Sequence, residues 1–350
     1  MSKIYKIAIV PGDGIGHEIV PAGLKVLKAV ASKSGFQIDT EEYLYGAGHY
    51  KKHGAFMPED GLEKLAGYNA ILFGAVGLPD VDDTLPARDY TFRVRTHFEQ
   101  YVNYRPVRNW KGVVRPLRND TPFDFVVVRE NTEGEFVQVG NQVKPDTEGG
   151  MGLDTSIFTR KGIERIAHYA FQLARKRRKH LTAVTKSNTL IHSLTFWDRV
   201  ISEVAEHYPD VEYRFMYIDA TSANFVLKPW IFDVVLTTNL FGDILSDLGG
   251  ALMGSLGLGG SGNINPEKEY PSMFEPIHGS APDIAGKGIS NPVGMFWSVA
   301  LMLEHLGENA AADRIMTATD DALSDGFLPV DIGGKSGTEE LTEQVITRMH

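Results

Sequence analysis

The sequence predicts an α/β protein with a largely parallel sheet. Short apolar runs of strand length alternate with longer stretches of helical period, and no internal repeat interrupts the alternation. At 350 residues, with 43% hydrophobic and 23% charged positions, the chain can bury two cores and is expected to split into two domains.

In order, Ile4–Val10 reads as the first buried strand and Ile15–Ala31 as a helix, with strands at Phe36–Leu44 and Ala70–Val76. Further strands are expected at Val102–Val107, Phe125–Val128, Leu181–Thr185, Glu212–Ile218 and Val234–Leu236. Helical spacing marks Arg160–Arg175, Leu190–Glu206, Phe241–Leu256, Val293–Leu306 and Ala310–Leu323. The glycine- and turn-rich stretches Asn141–Gly152 and Gly257–Asn265 are expected to be loops or domain crossings, and the basic run Arg175–Lys179 a solvated helix end.

The 35 basic against 45 acidic residues give a formal charge of −10, which repels nucleic acid and anionic membrane but permits a local cationic pocket for a small anion. No cysteine is present, so disulfides, thiolate catalysis and thiolate zinc sites are excluded and any metal takes oxygen or imidazole ligands. No run reaches the roughly 20 apolar residues of a membrane helix and the N-terminus lacks a signal-like apolar stretch, so a cytoplasmic location is expected.

Gly12-Asp13-Gly14-Ile15-Gly16 sits between a strand and a helix, yet His17 stands where a dinucleotide fingerprint needs its third glycine. A tight turn with glycines at positive φ is the favoured account of it. The stretch Thr237-Thr238-Asn239-Leu240-Phe241-Gly242-Asp243-Ile244-Leu245-Ser246-Asp247 is more telling, because Asp243 and Asp247 stand four apart on a helix and present both carboxylates on one face. Like charges held together suit a hard cation, Mg²⁺ or Mn²⁺. Alone, such a pair more often decorates a helix start. Arg95, Arg105 and Arg129 beside strand ends, Lys186 just past one strand and Asp219 just past another turn the balance toward a dicarboxylate site beside a metal.

These motifs resemble the β-decarboxylating dehydrogenases, the family of isopropylmalate, isocitrate, homoisocitrate and tartrate/D-malate dehydrogenases. The resemblance runs from Ile9–Gly16 through Val127-Val128-Arg129-Glu130-Asn131-Thr132-Glu133-Gly134 and Asn239–Asp247 to Glu275-Pro276-Ile277-His278-Gly279-Ser280-Ala281-Pro282-Asp283-Ile284-Ala285-Gly286. It implies a two-domain isopropylmalate-dehydrogenase-like fold, not a Rossmann domain, with a mixed, largely parallel central sheet. Residues 1–100 and 254–350 would form a large cofactor-binding domain, and 101–253 a small domain for substrate, metal and dimerisation. It implies a homodimer with shared active sites, Lys186 and Asp219 of one subunit entering the site of the other.

By the same resemblance, Asp219, Asp243 and Asp247 are metal ligands, Arg95, Arg105 and Arg129 grip the substrate carboxylates, and Lys186, with Asp219 beside it, removes the hydroxyl proton. Lys186 must be neutral to do so. His278, Gly279, Ser280, Ala281, Asp283 and Asn291 would hold the adenosine half of the cofactor. Asp283 goes with NAD, since a carboxylate accepts from ribose hydroxyls and repels a 2′-phosphate. Mg²⁺ or Mn²⁺ is the implied metal, with K⁺ a further candidate.

The substrate implied is a small dicarboxylate. Asp89 and Thr91 disfavour isocitrate, whereas Thr91, Phe92 and Thr189 make a poor apolar pocket for isopropylmalate, which stays the alternative. Phe98–Arg108, Ser156–Arg160 and Thr185–Asn188 look closest to tartrate/D-malate dehydrogenases. One departure is Phe136, where the family has a tyrosine that protonates the carbon left by CO₂. Either water or another tyrosine substitutes, or oxidation proceeds with inefficient decarboxylation. A non-catalytic, ligand-binding regulatory subunit is the alternative of another class.

Overall fold

The computed structural model describes residues 3–117 and 120–350; the first two residues of the expected large domain, and 118–119 of the small one, lie outside it. Two compact units emerge. The first is Met1–Gln100 with Arg105–Pro122 and Gly249–His350, and the second is Tyr101–Tyr104 with Phe123–Leu248. Arg105–Pro122, expected in the middle domain, groups with the chain ends, and Gly249 rather than residue 254 opens the last stretch.

In the first unit the strand order is Gln37–Glu42, Ile4–Gly12, Ala70–Ala75, Ser272–Pro276, Gly260–Ile264. The first three pairings are parallel and the last is antiparallel. The mixture is as expected. Ala70–Ala75 is buried at every position, which is why its sequence is continuously apolar rather than alternating. The Val293–Leu306 helix is buried from Val293 through Leu303 and packs against the Gly16–Ser34 and Asn309–Ser324 helices. Its sequence accordingly shows no polar face.

The second unit orders Asp124–Glu130, Val234–Thr237, His180–Thr185 and Glu212–Tyr217 side by side, all parallel. The Arg160–Lys176 and Ser193–Ala205 helices pack on it. Phe125, Phe225 and Phe232 meet edge to face or tilted, with centroids 4.8 to 5.9 Å apart.

One loop expectation holds only at its centre and one fails. Lys144–Gly150 is a loop, but the ends of Asn141–Gly152 belong to the strands it joins, the antiparallel hairpin Gly134–Val143 with Met151–Ile157. Met151–Ile157 is exposed throughout, and its period-2 apolar residues Met151, Leu153 and Ile157 stand among glycine and polar residues that read as a loop. Gly257–Asn265 contains the buried strand Gly260–Ile264, where a Cβ on Gly260 would come within 2.8 Å of the Trp297 Cβ and one on Gly262 within 2.9 Å of the Phe274 ring. Its glycines allow close packing instead of a turn. The basic run is a solvated helix end as expected at Arg175, Lys176, Arg178 and Lys179, and only half-buried Arg177 departs from it, pairing with Asp233 (2.8 Å) and Asp124 (2.7 Å).

Candidate active site

Parallel strands put their C-terminal ends at one edge of a sheet, where functional groups collect. In the second unit Arg129 lies at the end of Asp124–Glu130 and is in register with Thr237, which closes Val234–Thr237 and leads into the Asn239–Met253 helix. Thr185 and Tyr217 are likewise in register, so Lys186 and Asp219 follow neighbouring strand ends. The strand order therefore produces two adjacent pairs, Arg129 with the aspartate helix and Lys186 with Asp219.

Arg129 is 2% exposed, so its charge needs partners. Its Nε donates to Asn239 Oδ1 at 2.9 Å and its Nη1 is paired with Asp243. Asn239 Nδ2 in turn donates to the Glu133 carbonyl at 3.0 Å. Gly242 faces the arginine's stem, and a Cβ there would lie 2.5 Å from Arg129 Cβ. The acid-rich turn after Arg129 is engaged residue by residue. Glu130 is buried, which pushes its carboxyl above the ordinary value, and it accepts from Thr132 N, Thr132 Oγ1 and Glu133 N at 2.7 to 3.0 Å. Glu133 accepts from Thr159 N and Oγ1 at the start of the Arg160–Lys176 helix. Glu135 accepts from Thr238 Oγ1 (2.9 Å) and Leu240 N (3.1 Å), at the start of the aspartate helix. The sequence displays this run of glutamates without revealing that each anchors a different segment. Asn239 lay inside the quoted motif with no role attached.

Lys186 Nζ donates to Asp219 Oδ1 at 2.9 Å, and the ammonium holds the Asp219 carboxyl below the usual carboxylate range. Asp243, with its side chain 45% exposed, and Asp247 one helical turn on provide oxygen donors of the kind a hard divalent cation takes. Among the described residues of one chain, no three His, Cys, Asp or Glu gather to hold a metal, so Asp219 does not join Asp243 and Asp247 within a single subunit.

In the first unit, Arg95 is 6% exposed and donates from Nη2 to buried Glu275 at 2.8 Å, an oxygen that also receives Asn263 Nδ2 at 2.8 Å. Arg105 is 7% exposed in the Val102–Arg108 strand. Gly12 and Gly14 take φ of +73° and +57°, and Ile15 N donates to Ser280 O at 2.8 Å. A Cβ on Gly14 would fall 2.0 Å from that carbonyl, so the glycine-rich turn closes on the His278–Ser280 backbone. Glu18 accepts from Gly288 N (3.1 Å) and Ser290 Oγ (3.2 Å) and fastens the rest of the loop.

The His278 side chain has a ring nitrogen left for a ligand. Its Nε2 is buried with no hydrogen-bond partner, its Nδ1 is 2.9 Å from Gly279 O, and burial pushes its pKa down, which keeps the ring neutral. Gly279 and Asp283 are exposed, and Ser280 and Ala281 half-buried, so this segment is open to a ligand. Asn291 is buried: Oδ1 accepts from Val293 N and Nδ2 donates to Asp331, both at 3.0 Å. Asp331, which also receives Ser255 Oγ, is a further anchor that the sequence did not disclose.

The isocitrate/isopropylmalate dehydrogenase family profile matches residues 6–345. A probable tartrate dehydrogenase/decarboxylase of Agrobacterium vitis is 49% identical over 345 residues, covering 97% of this chain and 96% of that protein. The D-malate dehydrogenase [decarboxylating] of Escherichia coli (strain K12) is 44% identical over 355 residues, covering 99% and 98%. The crystal structure of isocitrate dehydrogenase from Methylococcus capsulatus superposes with a TM-score of 0.90 at 37% identity, covering 99% of both chains. With the profile spanning nearly its whole length, the chain belongs to the isocitrate/isopropylmalate dehydrogenase family.

Proposed function

We propose that the chain oxidises a malate-type 2-hydroxy diacid, tartrate or D-malate, with NAD and Mg²⁺ or Mn²⁺, as a homodimer with shared active sites. The observation that carries this reading is the buried Arg129 fixed beside Asp243, with Asp247 one turn further along the same helix. The names of the relatives agree with it in substrate class.

Arg129, with Arg95 and Arg105, neutralises and orients the two carboxylates. Lys186 receives the C2 hydroxyl proton as the hydride departs, and Asp219 aims the amine. Asp243 and Asp247, with the Asp219 of a second subunit, would hold a divalent cation, which would supply positive charge at the oxygen that loses its proton, and bound NAD would supply the hydride acceptor. His278 and Asp283 would hold the adenosine side of NAD, and the exposed Asp283 carboxylate would accept from ribose hydroxyls and repel a 2′-phosphate. The first product is a β-keto acid, from which CO₂ can then leave.

The test is cofactor reduction by the purified chain with four- to seven-carbon hydroxy diacids, NAD or NADP, and Mn²⁺. Turnover of D-malate or tartrate with NAD, abolished by EDTA, is expected. Preference for isopropylmalate overturns the substrate assignment. No turnover across the panel points to a regulatory, ligand-binding subunit.

A further inference from the structure

We infer that Asn239 is the positioning residue for Arg129: it sets the plane of the guanidinium and so the geometry in which a dicarboxylate is gripped. This rests on the proposed role of Arg129 and adds a residue to it. An arginine can present its fork to a carboxylate only if its own plane is held. Here Nε, the nitrogen that defines that plane, donates to Asn239 Oδ1 at 2.9 Å. Asn239 is 2% exposed and cannot swing, because its Nδ2 is engaged by the Glu133 carbonyl at 3.0 Å. Its two neighbours in the chain are both tied to Glu135, which receives the Thr238 hydroxyl and the Leu240 backbone N–H. Gly134, at φ +80°, brings the segment after Arg129 close, and a Cβ there would lie 3.5 Å from Asn239 Cβ. The side-chain amide thus links the turn after Arg129 to the helix that carries Asp243 and Asp247. Asn239 touches neither the reacting atoms nor the cofactor in this scheme, and acts through Arg129.

A double-mutant cycle on the holoenzyme tests it, with KM for D-malate and for NAD measured in wild type, Asn239→Ala, Arg129→Ala and the double variant. Asn239→Ala is expected to raise KM for D-malate about tenfold, the scale of one hydrogen bond to a charged group, while KM for NAD stays unchanged. In the Arg129→Ala background the same change should add nothing. Added guanidinium should partly restore Arg129→Ala, but not the double variant. Asn239→Ser keeps a residue favoured at a helix start but does not reach Arg129, so it serves if the alanine variant does not fold. An equal rise in both backgrounds, or no rise with Arg129 present, overturns the inference. If Arg129→Ala itself leaves KM for D-malate unchanged, the reading of Arg129 as a substrate residue falls instead.

Discussion

The Phe136 ring centroid lies 5.5 Å from the Arg129 guanidinium carbon, within reach of a cation–π contact. The ring can therefore support the arginine, but it carries no hydroxyl to protonate a carbon. In the proposed scheme oxidation rests on Lys186, Asp243 and Asp247 and does not involve this ring, whereas protonation after CO₂ leaves lacks the hydroxyl that the family resemblance implies at this position. NADH formed is therefore expected to exceed CO₂ released, and Phe136→Tyr is expected to bring the two yields together. Equal yields in the wild type with unchanged rates in the variant contradict this. At this scale the sequence was most informative where chemistry needs charge at fixed spacing, as in Asp243 and Asp247. It was least informative where one side chain serves another, because a hydrogen bond from Arg129 to Asn239 joins residues 110 apart and leaves no local pattern.

Asp13 shows how an element can be stabilised from a distant part of the chain. The Ala47–His53 helix begins after Gly46 with no side-chain cap of its own, and Asp13, 3% exposed, accepts from Ala47 N (2.7 Å), Gly48 N (2.9 Å) and Gly77 N (3.0 Å). One carboxylate thus satisfies helix-start donors that would otherwise be orphaned, and its charge suits that helix end. Asp13→Ala is expected to destabilise the protein by about 3 kcal/mol in urea denaturation, with Asp13→Asn milder because one oxygen remains. A loss below about 1 kcal/mol would show that water replaces the carboxylate. Buried strands such as Ala70–Ala75 and helices such as Val293–Leu306 were legible because burial writes itself into apolar runs and period. The Met151–Ile157 strand was missed although Met151, Leu153 and Ile157 alternate, because the glycine-rich stretch before it carries a stronger turn signal.

Across the whole molecule, the strand order delivers Lys186 with Asp219 and Arg129 with Asp243 as two separate pairs, and no three candidate metal ligands meet in one chain among the described residues. The proposed dimer with exchanged Lys186 and Asp219 turns this into a property of mixtures. Lys186→Ala and Asp243→Asn should each be inactive alone. In a heterodimer of the two, one site would combine the intact Asp243 of the first subunit with the intact Lys186 of the second, while the other site would carry both lesions. Unfolding and refolding the two variants together in equal amounts makes about half of the dimers mixed, each with one working site of two, so about a quarter of wild-type activity should return. Mixing Lys186→Ala with Asp219→Ala should return none, because each site of that heterodimer would receive one damaged pair. No recovery in the first mixture with both variants dimeric would place each complete site within one subunit and remove the reason for Asp219 to leave its own chain, whereas recovery in the second would show that Lys186 and Asp219 enter a site from different subunits.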